Sequence, residues 1–311
     1  MRTLVVGSRA SQLAKAQVKE FLGPLRARFT DVEFRHQLIL EGGDRDRRSA
    51  LASVSQASGG AAFSTNQEAA LVAGEVDVIV HSLKDLPTSN PAELILLPPP
   101  GREDVRDALC GPVETATLTA LPLGARVGTS AARRIAQLLA VRPDLGTVPI
   151  RGNVPPRLRR GREMGLDAVM LAAAGLHRLG LNDQIGQLLP IEQFPPSPGQ
   201  GALGIQVRAD NTFAIEVLST AGDLQVDAEV RAERAMLAEL HGGCSVPVGA
   251  HAHTDGGQLH LYGQVTSVDG TKQLTARASG PAGDPAALGH RVAAELMHQG
   301  AQEILDKARA T

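Results

Sequence analysis

The chain has 311 residues, of which 43% are hydrophobic and 21% charged, with a formal net charge of −2. That length implies two or three domains, and that balance excludes a disordered chain or a nucleic-acid binder working through a global basic field. Aromatic residues make up 2% with no Trp, which argues against a base-stacking platform, and two cysteines, Cys110 and Cys244, provide neither a disulfide framework nor metal-ligand spacing.

Residues 3–8 predict a strand ending in Gly7-Ser8-Arg9, residues 10–29 a helix and residues 32–40 a second strand. Residues 41–62 are rich in Gly, Ser, Ala and charge without a period, as in a functional lid or a disordered stretch. A helix is predicted over 65–73 with Gly74 as its stop, then a buried strand over 76–80. Pro98-Pro99-Pro100-Gly101 marks a boundary, after which strands (126–128, 147–150, 168–171) alternate with helices (130–141, 153–164, 173–179). Pro195-Pro196-Ser197-Pro198-Gly199 is a second break. Beyond it lie an amphipathic helix over 226–240, strand alternation over 251–279 and a closing helix over 285–308. The pattern predicts two α/β domains and a smaller α+β domain, with no short internal repeat. No segment reads as a signal peptide or a membrane span, so a cytoplasmic location is expected.

Ligands in open α/β sheets bind beyond the carboxyl ends of strands. That rule selects Ser8-Arg9, His81–Asp85, Thr129–Arg134 and Arg151–Arg157. The chain has 26 Arg against 5 Lys, and Arg9, Arg133, Arg134, Arg151, Arg157 and Arg178 recur at or near these ends. Any one alone reads as a solvated charge; together they predict a cleft between domains for a multiply anionic ligand, since Arg forks bind carboxylates. In His81-Ser82-Leu83-Lys84-Asp85 the carboxylate could stabilise a cation or move a proton. Lys84 could pair with Asp85, bind an acid or form a Schiff base. A plain ion-paired turn is the simpler reading of that pair taken alone. Cys244 follows a helix end on a Gly-Gly loop and can be exposed, whereas Cys110 reads as a buried hydrophobe. His241 lies near Cys244 in sequence, but no third orienting group completes a protease site.

These segments, with Arg102-Glu103-Asp104-Val105-Arg106-Asp107-Ala108, Arg151-Gly152-Asn153-Val154, residues 171–180, Gly199-Gln200-Gly201-Ala202 and Gly242-Gly243-Cys244-Ser245-Val246-Pro247, resemble the hydroxymethylbilane synthase (porphobilinogen deaminase) family in order and over nearly the whole chain. The resemblance implies two α/β domains like those of periplasmic binding proteins and a smaller α+β domain. Their expected extents are 1–101 with 200–221, then 102–199, then 222–311. It implies a soluble transferase of tetrapyrrole biosynthesis that joins four porphobilinogens into linear hydroxymethylbilane and releases ammonia. A dipyrromethane cofactor would be bound through a thioether to Cys244, with Ser82, Lys84, Asp85, Thr129, Ser130, Arg133, Arg134 and Gly152 around it. Asp85 would be catalytic. Arg9, Phe63, Arg151, Arg157, Arg178 and Gln200 would bind substrate, no metal is implied, and the product would pass from a monomeric enzyme to uroporphyrinogen-III synthase. The chemistry agrees with the residues: a buried carboxylate suits the cation formed as porphobilinogen loses ammonia, and each pyrrole's two carboxylates suit many arginines.

The sequence departs from the family pattern in the lid. Gly60-Ala61-Ala62-Phe63-Ser64-Thr65-Asn66 keeps only the Phe of a Lys-Gly-x-Phe-x-Lys-Glu pattern, and Ala131 stands where Ser is common. Two other classes share parts of this reading: a two-domain solute-binding protein and a pyridoxal-type enzyme using Lys84.

Overall fold

Near-continuous apolar runs such as Val78-Ile79-Val80 belong to strands covered on both faces, and the computed structural model has them so. It describes residues 1–40, 64–112, 115–241 and 246–310. The chain divides into two compact units, one of residues 1–103 and 201–227 and one of residues 104–200 and 228–311.

In the first unit, β1 (Arg2–Arg9), α1 (Gln12–Arg28), β2 (Val32–Ile39), α2 (Thr65–Val72), β3 (Val78–Ser82) and β4 (Leu94–Leu97) come before the chain leaves. In the second unit follow β5 (Asp107–Cys110), β6 (Arg126–Gly128), α3 (Ala132–Val141), β7 (Gly146–Val148), α4 (Val154–Glu163), β8 (Ala168–Ala172), α5 (Ala173–Arg178) and β9 (Ile185–Leu188). The chain then returns as β10 (Leu203–Arg208) and α6 (Thr212–Leu218), and α7 (Leu224–Glu239) leads back out. Strands β11 (Val248–Asp255), β12 (Gln258–Thr266) and β13 (Gln273–Pro281) and helices α8 (Pro285–His298) and α9 (Ala301–Ala310) complete it.

The two five-stranded sheets have one plan. The first runs β2-β1-β3-β10-β4 and the second β7-β6-β8-β5-β9; in each, four strands run one way and only the fourth in the order, β10 or β5, runs against its neighbours. The agreement extends to single bonds. Asp77 takes a hydrogen bond from the Val5 N–H at 2.8 Å and donates its own N–H to the Val5 carbonyl; Asp167 does the same with Arg126, at 2.7 Å for the side-chain bond. Each preceding helix ends on a glycine with positive φ, Gly74 at 74° and Gly165 at 62°, a turn that costs a glycine nothing. Gly7 and Gly128 match too: a Cβ would stand 2.5 Å from Ile79 Cδ1 at the first and 2.8 Å from Leu166 Cδ1 at the second. This structural repeat was not visible in the sequence, because only a few scattered residues carry it.

Both faces of each sheet are covered, by α1 and α2 in the first and by α3 and α4 in the second, with cores such as Val18, Phe21 and Leu22 on Leu4 and Val6. The C-terminal sheet, ordered β11-β12-β13, buries one face under α7, α8 and α9, where Met236, Leu240, Val292 and Leu305 pack with Leu261 and Val265. The α/β class with a smaller sheet-and-helix part is thus as expected.

Two details differ. The single closing helix is two, because Gly300 at φ 96° stops α8. Strands β4, β5, β9 and β10 were not predicted, being short or lacking clear alternation.

Candidate functional site: two strand-end edges

The first edge is built by β1 and β3, which run parallel with Val6 opposite Val78 and Gly7 opposite Ile79, so Arg9 at the end of β1 stands level with His81, one residue before the end of β3. The Ser11 hydroxyl accepts from the Ala14 N–H at 3.1 Å and starts α1. From that helix the Gln17 amide donates to Ser82 Oγ at 2.9 Å. Beyond β3 the chain makes one 3₁₀ turn, Leu83–Asp85, held by the Leu83 N–H on the Ala202 carbonyl at 3.1 Å. The turn leaves Asp85 half-buried, and among the described residues none donates a hydrogen bond to its carboxylate.

Behind this turn lies a buried neutral chain. His81 Nε2 meets Gln206 Oε1 at 3.1 Å, and Gln206 Nε2 donates to Glu68 Oε1 at 3.1 Å. A carboxylate only accepts, so Gln206 turns its NH₂ to Glu68 and its oxygen to His81, which must carry its proton on Nε2. Burial pulls the His81 pKa down to about 4, the Gln206 bond opposes this, and Arg9's charge adds to the fall. His81 is therefore neutral near pH 7.

The second edge holds charge instead. Asp107, at 0% exposure, opens β5 and accepts from Arg133 Nη1 at 2.7 Å, from Arg134 Nε and Nη2 at 3.1 and 2.7 Å, and from Gln200 Nε2 at 2.9 Å. Burial alone would raise the pKa of this carboxyl; the two guanidiniums outweigh it and hold it well below the usual carboxylate range. Arg134 also reaches the Met170 carbonyl and Arg133 the Pro195 carbonyl. The helix after β6 starts at Ala132, not Ser130, and has no side-chain cap. The pair expected to form its anion site is buried on the chain's own Asp107.

The remaining predicted residues line the same edge. Thr129 is buried and its N–H donates to the Val148 carbonyl, while Ser130 Oγ exchanges bonds with the backbone of Ile150 at 3.0 Å. Gly152, at φ 111°, gives its carbonyl to Arg157 Nε at 2.6 Å, and Arg160 donates to the Arg151 carbonyl. Arg178 ends α5 beyond β8. Phe63 and Cys244 lie outside the described residues. Cys110 is buried as expected, its thiol pushed up to about 12 by desolvation.

Two family sequence models match, one described as "Porphobilinogen deaminase, dipyromethane cofactor binding domain" over residues 4–216 and one as that enzyme's C-terminal domain over 228–298. The chain belongs to the porphobilinogen deaminase family. Its relatives include porphobilinogen deaminases of Desulforudis audaxviator, 44% identical with 99% of each chain covered, and of Deinococcus deserti, 42% identical with 99% and 100% covered. That of Geobacter metallireducens is 43% identical over 98% and 94%. As a member of this family the protein is an enzyme, a transferase of tetrapyrrole biosynthesis, and its cofactor is dipyrromethane. Similar solved structures include an arginine-specific periplasmic binding protein of Salmonella typhimurium, 13% identical over 73% and 92% of the two chains at a TM-score of 0.39. A probable amino-acid transporter binding protein of Bacillus subtilis is 12% identical over 71% and 90% at 0.43.

Against this family background, sequence reasoning missed Asp107 and the chain His81–Gln206–Glu68. Asp107 was inside a quoted motif, and the one available signal was a lone acid next to the apolar Ala108-Leu109-Cys110. Gln206 gave none, since its strand was not predicted. Among the described residues no helix is long and apolar enough to cross a membrane, and no group of three or more His, Cys, Asp or Glu could hold a metal ion.

Proposed function

We propose that this deaminase joins four porphobilinogen molecules head to tail onto a dipyrromethane held through Cys244, releasing linear hydroxymethylbilane and ammonia. The family match over 99% of the chain carries the reading. The residues fit such a group: a half-buried Asp85 carboxylate at the end of β3 suits pyrrole N–H donors, and the arginines suit acetate and propionate arms. When bound, the dipyrromethane supplies a pyrrole carbon as the point of attachment for incoming rings.

The chain's own residues supply positioning and charge. Asp85 faces the positive charge that develops as the aminomethyl C–N bond of porphobilinogen breaks, and accepts from pyrrole N–H groups. The neutral His81 behind it adds no competing cation. Ser82, Lys84, Thr129, Ser130, Arg133, Arg134 and Gly152 are assigned to the cofactor. Arg9, Phe63, Arg151, Arg157, Arg178 and Gln200 are assigned to the substrate and the growing product, the arginines to their carboxylates. We place the enzyme in the cytoplasm as a monomer that passes its product to uroporphyrinogen-III synthase, as the family resemblance implies.

Intact mass spectrometry of the purified chain tests the attachment. The expected result is a two-pyrrole adduct, mapped by peptide analysis to Cys244 and missing from Cys244→Ser. An unmodified, fully active wild-type chain would overturn it.

A further inference from the structure

Helix α7 ends at Glu239, three residues before the Gly242-Gly243-Cys244 segment. Its last free carbonyls have an unusual partner. Arg309, one residue from the end of α9, donates Nη2 to the Leu240 carbonyl and to the His241 carbonyl, both at 3.1 Å. Its Nη1 is held by Asp306 Oδ1 at 2.9 Å, which aims the fork. The helix behind it is fixed, since Ile304 and Leu305 pack in one core with Leu240. A second contact, His290 Nδ1 to Glu239 Oε2 at 2.9 Å, ties α8 to the last turn of α7. At this point His241 has φ 47°, the one non-glycine among the described residues with positive φ. A residue with a Cβ holds that conformation at a cost, so something must pay it, and a cation on the negative helix end does so.

We infer that Arg309 is a positioning residue for the cofactor: it locks the turn at His241 from which the Cys244 segment departs. The inference rests on Cys244 as the attachment point. Arg309 is assigned no contact with cofactor or substrate; it acts through the turn at His241.

The test uses the full chain purified before loading, incubated with porphobilinogen, with adduct formation followed by intact mass. Arg309→Ala should load about five- to thirtyfold more slowly, as expected for a lost charged hydrogen-bond fork. Adding His241→Gly should recover much of the rate, because glycine adopts positive φ without help. Alkylation of the unloaded chain supplies a second readout. In Arg309→Ala the rate at Cys244 should change while buried Cys110 stays inert. Loading at the wild-type rate, no recovery on adding His241→Gly, or exposure of both cysteines together would each overturn the inference; the last would make Arg309 a contributor to overall stability. Absence of any adduct on Cys244 of the wild type would overturn the proposed attachment, and this inference with it.

Discussion

The two strand-end edges share a backbone and differ in what fills it. In both sheets an aspartate, Asp77 or Asp167, staples β3 to β1 or β8 to β6, and a glycine with positive φ precedes it. Behind the edge of the first sheet lies the neutral chain His81–Gln206–Glu68, leaving Asp85 without a described donor. Behind the second lie two guanidiniums on one carboxylate, which leaves an excess of one positive charge. One plan therefore serves two electrostatic tasks. On the first edge the Asp85 carboxylate has no described donor, which suits a developing cation; the second presents surplus cation, suited to carboxylates. Backbone geometry decides where groups stand, and the buried partners decide which charge is left over for a ligand.

The largest effect should come from breaking the charged edge. Asp107→Ala leaves Arg133 and Arg134 buried without their anion, and a buried pair broken on one side costs roughly 3–5 kcal/mol. Urea unfolding at pH 7 should show it. The wild type should show the linked pH effect. A carboxyl whose folded pKa is depressed contributes stability that is fully present above its unfolded pKa, near 4, and is lost as pH falls below that. If Asp107→Ala unfolded like the wild type, the pairing would be decoration and the contrast between the edges would fail.

On the neutral edge the key charge is Asp85. Asp85→Asn keeps shape and removes the anion, so the fold should survive while single-turnover rate falls by about 10² or more. Near-normal chemistry in a folded, cofactor-loaded Asp85→Asn chain would move the role elsewhere.

A finer test of neutrality lies in His81. Its folded pKa is about 4 against an ordinary 6.5, so the unfolded chain takes up a proton before the folded one does. Stability should therefore be complete above pH 6.5 and fall as pH drops toward 4, by about 3 kcal/mol for this group. The urea midpoint measured from pH 7 to 4.5 should show that slope, and His81→Gln should flatten it. An unchanged slope in the variant would mean that His81 is not the neutral anchor described here.

The sequence made the strand-helix alternation legible because buried strands and amphipathic helices have strong periods, and Arg126–Gly128 was bounded correctly. It placed Asp85 and the arginines at strand ends for the same reason. It could not show that Arg133 and Arg134 turn inward, since that depends on Asp107 lying across the sheet, 26 residues earlier than Arg133. Nor could it show the duplicated plan, because β5 and β10 enter each sheet from distant parts of the chain and run against their neighbours. Short strands of four to six residues carry too little pattern to declare such pairings.

The smallest effects, and the ones that sharpen the comparison most, belong to the half-buried arginines Arg9, Arg151, Arg157 and Arg178. A growing chain adds two carboxylates with each pyrrole, so these residues should be needed at different additions rather than all at once. Replacement by Lys keeps charge and loses the fork, so it should impair turnover, and Leu should be worse, at roughly 1.5–3 kcal/mol per lost charged hydrogen bond. Arg157 has a further task, because its Nε holds the Gly152 carbonyl at 2.6 Å, so Arg157→Lys should also loosen that loop. The expected signature is stalling: enzyme bearing one, two or three added pyrroles should accumulate, at a stage that depends on the arginine removed and is readable by mass spectrometry. Arg133 and Arg134 should differ from these four, losing stability along with cofactor loading, because their guanidiniums are already part of the core. Uniformly weakened substrate binding in all four variants, with no build-up of intermediates, would turn these arginines into a general electrostatic funnel. Their positive charge would then attract substrate without sorting the steps.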